Sequence, residues 1–376
     1  MARNGFRLID AEMHVMEPVD LWQRYIDPEF KDRAPRRLSE RKWDIRTLVE
    51  GELMAQIPGG DWPALSAAEE TAMATRYAEE IARDFDPESQ IKAMDKEGLD
   101  LAILYPTAGM YATAFTHLEP RFAAAVCRAY NNWLYDYIQA ADPKRMFGAA
   151  CVSPHDIERA VAETRRAVLE LGMKAIFLRP NIYNDKPWHD TFYDPLWAAC
   201  QELNVPVGFH ETTGSRMKAA GTDRFQALGI AHISTHPMEQ MLACMDIIMG
   251  GVLERFPKLR VAFLEAQCGW LPFWLDRMDE HYEWREPYGE MTHLSAKPSE
   301  YFRPQGFCAC ECDEEFVTHV IAAAGDDNIV TTTDYPHGDS KFPKAMDRFL
   351  ALPLGEQSKK NALGQRTAAL RAVDRT

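Results

Sequence analysis

The sequence has no apolar segment long enough to cross a bilayer, and Met1–Phe6 lacks the basic stretch and apolar run of a secretory signal. We therefore expect no membrane association and a cytoplasmic location. Basic residues are also few, because 42 Lys and Arg stand against 57 Asp and Glu and leave a formal net charge of −15. A phosphate backbone repels a chain of that charge, so nucleic acid is not an expected partner.

Cysteine is sparse and irregularly spaced, with eight residues in a chain of 376. This pattern excludes the disulfide framework of a small secreted scaffold and predicts reduced thiols. The one cluster, Cys308, Cys310 and Cys312, alternates so that all three side chains would share one face of a strand. A thiolate metal site is one interpretation of this cluster, and three small residues packed against a sheet is the simpler one.

Fixed-period repeats are absent too, and 46% of the residues are hydrophobic, which is enough for a sizeable core. Short apolar runs alternate with longer stretches of helical spacing, as is typical of βαβ units around a parallel sheet. The predicted strands are Phe6–Asp10, Leu101–Tyr105, Met146–Val152, Ala175–Leu178, Val205–His210, Leu259–Glu265, Gly306–Cys310 and Ile329–Asp334. The helical patterns include Asp156–Leu171, Asp194–Leu203, Met238–Phe256, Trp270–Trp284 and Asp313–Ala324. Eight such repeats predict an α/β fold, the (β/α)8 TIM barrel.

About ninety residues separate the first two strand signals, far more than an ordinary crossover connection needs. We therefore predict one barrel domain, residues 1–376, with a helical insertion at about residues 30–90. Within it, Ser66–Glu69 has the pattern of a capping box and opens a helix that we expect to run to about Phe85. Because loops after barrel strands lie over the active-site face, the insertion is either a lid or a packing flap at an oligomer contact.

Metal-ligand side chains recur where the predicted strands end, and in a barrel these ends share one mouth. Glu12 and His14 stand two residues apart and so point to the same side of their strand. His210, Glu265 and Asp334 end three later strands. Each of these residues alone could be a hydrogen-bonded cap, but their joint occurrence predicts a divalent-metal site. Mixed imidazole and carboxylate ligation suits Zn²⁺, Mn²⁺ or Fe²⁺ and does not select among them.

Several segments together resemble the amidohydrolase superfamily. They are Ile9–His14, the strand ending in His210, Gly250–Leu259 leading into Glu265, and Thr333–His337. The chain is most similar to the branch that contains aminocarboxymuconate-semialdehyde decarboxylase and related aromatic-acid decarboxylases. The resemblance implies that Glu12, His14, His210 and Asp334 hold a single ion, with Asp334 as a ligand or as a catalytic base. It implies a metal-dependent hydrolase or non-oxidative decarboxylase.

One position departs from those decarboxylases, which carry a histidine in a His-Gly-Gly run at the end of strand six. Here Leu264–Gly269 occupies that place, and Glu265 replaces the histidine. A carboxylate beside a metal is expected to be a ligand or a general base. We predict that Glu265 and His236 are catalytic and that, with His337, they form a second metal site. The alternative is that Glu265 braces the mouth and both histidines make loop hydrogen bonds.

A second ion would widen the range of reactions, because two ions can activate water for hydrolysis. If both were iron they could also split dioxygen, as the dinuclear non-haem iron oxygenases of the same superfamily do. An oxygenase is therefore the first alternative function. A non-catalytic metal-binding partner subunit is the second, and the complete ligand set argues against it.

The sequence offers fewer indications of the substrate. Arg179 follows the fourth strand at the expected rim of the mouth, where its guanidinium could hold a carboxylate in a bidentate pair. Arg216 is a weaker candidate for this role. Tyr105, Trp188 and Phe209 are candidate aromatic walls, although core packing would also explain them. We expect a small or medium-sized carboxylic acid as substrate, and a homodimer or a dimer of related subunits.

Overall fold

Eight parallel strands form a barrel at the centre of the molecule. The computed structural model describes residues 5–39, 43–54, 56–57, 60–61, 67–215, 217–225 and 227–365. The barrel strands are β1 (Ile9–His14), β2 (Leu101–Tyr105), β3 (Met146–Cys151), β4 (Ala175–Leu178), β5 (Val207–His210), β6 (Val261–Leu264), β7 (Gly306–Glu311) and β8 (Ile329–Thr332). Each strand pairs in parallel with the next along the chain. The predicted (β/α)8 barrel is confirmed.

The strands are buried on both faces, because one face lines the barrel interior and the other packs against helices. This explains why they form short apolar runs in the sequence. Side chains close the barrel between β1 and β8. Thr332 Oγ1 donates to the carbonyl of Glu12 at 2.6 Å, and the hydroxyl of Thr333 donates to the carboxylate of Asp10. The carboxyl ends of β1 and β8, near which Glu12, His14 and Asp334 lie, are thereby fixed to each other.

Helices surround the barrel. In the described residues they are α1 (Leu21–Tyr25), α2 (Ala67–Arg76), α3 (Ala78–Ala82), α4 (Pro87–Glu97), α5 (Gly109–Ala112), α6 (Pro120–Gln139), α7 (Ile157–Leu169), α8 (Asp194–Leu203), α9 (Leu228–Met249), α10 (Val252–Arg255), α11 (Leu271–Arg285), α12 (Pro298–Gln305), α13 (Val317–Ala324), α14 (Ala345–Ala351) and α15 (Glu356–Lys360). Within those same ranges, no helix combines the length and apolar character that crossing a membrane requires.

Several predicted element boundaries differ from the structure, and two of these differences change the setting of site residues. The first strand is Ile9–His14 rather than residues 6–10, so its two metal-ligand residues lie within the strand. The helix predicted to begin at Met238 begins at Leu228, and Pro237 lies inside it. Proline leaves the carbonyl four residues earlier without its helical hydrogen bond. That carbonyl belongs to Ile233, whose side chain is 72% exposed, so water is available to replace the lost bond.

The insertion after β1 packs against the loop that follows β8. It contains a three-stranded antiparallel sheet of Arg36–Arg37, Thr47–Val49 and Glu52–Met54, a pair formed by Gln56–Ile57 and Gly60–Asp61, and the helices α2 and α3. Ser66 of the predicted capping box lies outside the described residues. Trp43 Nε1 donates to the carbonyl of Pro336 at 3.2 Å, and the Tyr77 hydroxyl donates to that of His337 at 3.0 Å. The insertion thus lies at the carboxyl end of the barrel, and its role as lid or oligomer contact stays a prediction.

All eight cysteines are buried free thiols. Cys308 and Cys310 lie on β7, and Cys312 follows directly after it. None of the metal-ligand clusters found among the described residues contains a cysteine. The structure therefore favours the packing interpretation of this cluster over a thiolate site.

Candidate metal centre

Five metal-ligand side chains stand at the carboxyl ends of β1, β5, β6 and β8. Glu12 and His14 are buried on β1, and His210 is the last residue of β5. Glu265 and Asp334 come just after β6 and β8, with φ angles of 48° and 51°. This left-handed region is uncommon for residues other than glycine, and residues held there cluster at functional sites. The barrel therefore brings the five predicted strand-end residues to one mouth.

The two histidines of this group face each other with unprotonated nitrogens. Nδ1 of His14 lies 2.9 Å from the carbonyl of Pro106, and Nδ1 of His210 lies 2.7 Å from that of Glu211. Because a carbonyl only accepts, both Nδ1 atoms carry the proton and both Nε2 atoms present lone pairs. The two Nε2 atoms are 3.1 Å apart. Burial, and secondarily the charge of His337, lowers the pKa of His210 to about 3, so its ring is neutral.

Glu12 adds a third acceptor to this pair. Its Oε1 lies 2.7 Å from Nε2 of His210 and 4.0 Å from Nε2 of His14. Neither carboxylate oxygen makes a hydrogen bond of normal geometry within the described residues. Burial raises the pKa of Glu12 to about 8. A proton on Glu12 could join only two of these three acceptors, whereas a divalent cation placed among them would satisfy all three at once.

Asp334 and His337 form a pair beside these acceptors. Oδ1 of Asp334 lies 3.6 Å from Nε2 of His14 and 2.7 Å from Nδ1 of His337. Nε2 of His337 contacts Oγ1 of Thr107 at 3.1 Å. Burial alone would lower the pKa of His337, but the carboxylates of Asp334, Asp339 and Glu12 together outweigh it and raise that pKa to about 9. His337 therefore sits at the metal-ligand group as a proton carrier paired with a carboxylate.

These side chains fit one divalent ion. Ligand atoms of Glu12, His14 and His210 lie within 4.8 Å of one another, and so do those of His14, Asp334 and His337. Two atoms bound to the same ion at about 2.1 Å are themselves about 3–4 Å apart. The separations of 3.6 and 4.0 Å described above match that requirement, and the 2.7 Å between Glu12 and His210 is slightly shorter. The backbone carbonyls behind both rings supply the outer support that metal-bound histidines have.

Glu265 faces this group and also a second one. Its Oε2 lies 3.2 Å from Nε2 of His210 and 3.7 Å from Nε2 of His236, and its Oε1 lies 4.0 Å from Nδ1 of His337. The ion pairs found for Glu265 in the described residues involve these histidines and no arginine. Burial, reinforced by the charges of Asp334 and Glu12, raises the pKa of Glu265 well above its ordinary value.

His236 lies inside α9, not in a loop before a helix as its sequence context predicts. The same helix carries His232, which the sequence analysis missed. The two histidines are four residues apart and therefore share one face of the helix. Together with Glu265 they form a cluster whose ligand atoms lie within 4.8 Å of one another. The spacing His-x-x-x-His could have revealed His232. It was overlooked because Pro237 suggested that the helix begins after both histidines.

The rim position predicted for Arg179 was wrong. Its side chain is 1% exposed and pairs with Glu211 at 3.1 Å, with further bonds to the Thr212 carbonyl and the Ser215 hydroxyl. One guanidinium nitrogen, Nη1, makes no hydrogen bond among the described residues. Contact with a substrate carboxylate would have to use that atom, and this role stays a prediction. Arg216 lies outside the described residues.

The three candidate aromatic walls have different surroundings. The Tyr105 ring lies inside the barrel, with its centroid 6.0 Å from that of His210 and 6.3 Å from that of His14, so it forms the floor below both histidines. Trp188 and Phe209 instead pack on each other with centroids 5.6 Å apart, and both are buried. They belong to the core between barrel and helices, and their predicted role as pocket walls was wrong.

A cavity of about 30 Å³ lies above the strand ends. Its lining includes Glu12, His232, Glu265, Glu311, Asp334, Asp339 and Lys341. A volume of this size holds an ion or a water molecule but no aromatic ring. A larger groove of about 1060 Å³ runs along α9 past Leu242 and Trp274 and contains none of the five strand-end residues. The metal-ligand residues therefore line the smaller cavity and not the larger groove.

A (β/α)8 barrel with imidazole and carboxylate donors converging at its carboxyl end defines a metal-dependent barrel enzyme. The chain belongs to the amidohydrolase family, whose model matches residues 9–369. The resemblance found in the sequence is thus confirmed over nearly the whole chain.

Individual relatives support the same placement. The chain is 25% identical to 2-amino-3-carboxymuconate-6-semialdehyde decarboxylase of Dictyostelium discoideum. The match extends over 252 residues, or 67% of each chain. The fold of the present chain is similar to that of 5-carboxyvanillate decarboxylase from Sphingomonas paucimobilis, with a TM-score of 0.70 and 21% identity. The match covers 98% of this chain and 99% of that one. The fold is also similar to that of a dihydroxybenzoic acid decarboxylase from Polaromonas sp. JS666 with bound manganese and the inhibitor 2-nitroresorcinol (TM-score 0.66, 17% identity, 98% and 97% coverage).

Proposed function

We propose that this enzyme catalyses the non-oxidative decarboxylation of an aromatic carboxylic acid with a divalent ion at Glu12, His14, His210 and Asp334. The observation that carries the proposal is the convergence of acceptor atoms without donors at the barrel mouth. The names of the relatives, all decarboxylases of unsaturated or aromatic acids, support the reaction class. The cytoplasmic location and the dimeric assembly stay predictions.

The side chains at the mouth suit the two needs of this reaction. A bound divalent ion would polarise oxygen atoms of the substrate. During decarboxylation the bond to the carboxylate carbon breaks, carbon dioxide leaves, and the electron pair stays on a ring carbon that must take up a proton. His337 would give that proton from Nε2, which contacts Oγ1 of Thr107 at 3.1 Å, while its Nδ1 stays paired with Oδ1 of Asp334 at 2.7 Å. The negative charge of Asp334 favours the protonated imidazole, so Nε2 can take up a new proton after each turnover.

Access for a ring-sized substrate requires movement at the mouth, because the present cavity of about 30 Å³ is too small for one. We propose that the insertion supplies this movement and acts as a lid. Its contacts with the loop after β8 support that role. Trp43 and Tyr77 donate hydrogen bonds to the carbonyls of Pro336 and His337, and Arg76 donates to those of Gly338 and Ser340. Such bonds are individually worth about 0.5–1.5 kcal/mol and can break and re-form.

The experiment is a decarboxylation assay with defined metal content. The purified enzyme is stripped with a chelator, reloaded with Mn²⁺, Zn²⁺ or Fe²⁺, and incubated with hydroxylated benzoates, with and without oxygen. We expect oxygen-independent release of carbon dioxide that requires the metal and is lost in His210→Ala but kept in His319→Ala, whose imidazole is exposed on α13. Hydrolysis of lactones or amides in place of decarboxylation, or turnover that requires oxygen, would overturn the proposal.

A further inference from the structure

A second group of metal-ligand atoms lies next to the first and takes no part in the proposed reaction. His232 and His236 stand four residues apart on α9, with ring centroids 3.7 Å apart and planes at 75°. Edge-on approach of two imidazoles at this distance brings one nitrogen of each toward Glu265. Two histidines four residues apart on a helix are a recurrent metal-binding arrangement, because one ion can bridge them.

The fold holds α9 over the strand ends by a specific contact. Nε2 of Gln240 donates to the carbonyls of Phe209 and Leu264, at 2.8 and 2.9 Å. These carbonyls lie at the carboxyl ends of β5 and β6, one residue before His210 and Glu265. Gln240 is one helical turn after His236 and shares its face of α9. His236 is therefore fixed beside both strand-end ligands.

His236 is buried without a hydrogen-bond partner of normal geometry. Its side chain is among the most enclosed in the mouth, at 3% exposure, and neither ring nitrogen is satisfied within the described residues. An unsatisfied buried imidazole destabilises the folded state unless a ligand or ion fills the gap. The nitrogen nearest to Glu265 lies 3.7 Å from its Oε2, too far for a hydrogen bond. That separation matches two ligands of one ion bound at about 2.1 Å each.

We propose that His232, His236 and Glu265 form a second divalent-metal site, with Glu265 shared between the two ions. Glu265 Oε2 lies between His210 of the first site and His236 of the second, 3.2 and 3.7 Å from the respective Nε2 atoms. A site with two imidazoles and one carboxylate suits Zn²⁺, Mn²⁺ or Fe²⁺ better than Mg²⁺ or Ca²⁺, which prefer oxygen. This corrects the predicted second set of Glu265, His236 and His337, in which His232 now replaces His337.

Metal counting tests the second site without any assay of turnover. The full chain is stripped, reloaded separately with Zn²⁺, Mn²⁺ and Fe²⁺, desalted, and analysed for metal per chain. We expect two equivalents in the wild type with at least one of these ions, and one equivalent in both His232→Ala and His236→Ala. His319→Ala should keep two. Melting temperatures show whether each variant is folded, and if His236→Ala is not, the partly exposed His232 supplies the decisive variant.

Two results would overturn the second site. One is a single equivalent in the wild type with all three ions, and the other is two equivalents retained in folded His232→Ala. The outcome is separable from that of the proposed function. If the enzyme binds one ion and releases carbon dioxide, the proposed function stands and the second site is wrong. If it binds two ions and does not decarboxylate, the second site stands and the proposed function is wrong. Anomalous diffraction from loaded crystals would locate each ion directly.

Discussion

Nε2 of His14 and Nε2 of His210 lie 3.1 Å apart, and each ring donates its Nδ1 proton to a backbone carbonyl. Two lone pairs at that distance repel each other, and a carboxyl oxygen of Glu12 lies 2.7 Å from one of them. The barrel holds this arrangement because each residue is part of a strand that its neighbours fix. A cation bound among these three residues would relieve the repulsion, so the site favours its metal-bound state.

His210→Ala should remove the first ion and the activity together while keeping the fold. Loss of an outer partner already weakens metal binding by about 10–100-fold, so loss of a ligand should weaken it by at least about 100-fold. Because the substitution also removes one of the repelling acceptors, the melting temperature of the metal-free protein should not fall. Calorimetry and elemental analysis measure both quantities, with His319→Ala as control. Full metal content in the His210 variant would contradict the ligand assignment.

Added metal should stabilise the wild type more than His210→Ala. An ion that binds only the folded state at 100 times its dissociation constant contributes about 2.7 kcal/mol. We therefore expect Mn²⁺ or Zn²⁺ to raise the melting temperature of the stripped wild type by more than that of His210→Ala, which loses the first site and keeps the second. Equal rises in both proteins would show that the stabilising ion binds elsewhere.

Gly208→Ala should destabilise the barrel through Tyr105. A Cβ at position 208 would lie 2.3 Å from the hydroxyl oxygen of Tyr105, a residue buried inside the barrel. Overpacking of this kind costs about 1–3 kcal/mol. The matched test repeats the substitution in a Tyr105→Phe background, where the nearest clash is absent and the loss in unfolding free energy should be smaller. Equal losses in both backgrounds would rule out this explanation.

Tyr77→Phe should loosen the insertion without affecting metal content. The variant loses the bond from the Tyr77 hydroxyl to the carbonyl of His337, worth about 0.5–1.5 kcal/mol. We expect faster hydrogen exchange in α2 and α3 and an unchanged mass in solution. Tyr288→Phe, at an exposed position, is the control and should change neither. A change in oligomeric state instead would favour the oligomer-contact role of the insertion over the lid.

Much of the site could be predicted from the sequence because a parallel barrel collects its strand ends at one mouth. The strand count, with the rule that alternate residues share a face, was enough to predict Glu12, His14 and His210 as site residues. The burial of Arg179 and Trp188 could not be predicted, since it depends on which helix covers the end of β4. The sequence pattern shows that such residues can reach a rim, but packing decides whether they do.

His232 was missed for a local reason. A proline usually marks the first turn of a helix, and Pro237 therefore suggested that the residues before it form a loop. The helix nevertheless continues through the proline. Gln240 binds the ends of β5 and β6, and the Ile233 carbonyl, which loses its helical bond, lies at an exposed residue where water can replace that bond. Two histidines that looked like separate loop residues thus share one helical face.

Glu265→Gln distinguishes the two roles open to this residue, since it keeps the shape of the side chain and removes the charge. If Glu265 is shared between two ions, the variant should lose the second metal equivalent and keep the first, because Glu12, His14 and the other first-site residues remain. Glu311→Gln is the matched control, as it removes another carboxylate that lines the same cavity and should keep both equivalents.

The expected loss of turnover in Glu265→Gln is at least about 100-fold if the carboxylate acts as a ligand or general base, the range in which single catalytic groups contribute. The two measurements separate those roles, because a general base would lower turnover at unchanged metal content whereas a ligand would lower both. Near-normal metal content and turnover would show that the residue only braces the mouth. The second site would then be untenable, since His232 and His236 alone offer too few ligands to hold an ion against a chelator.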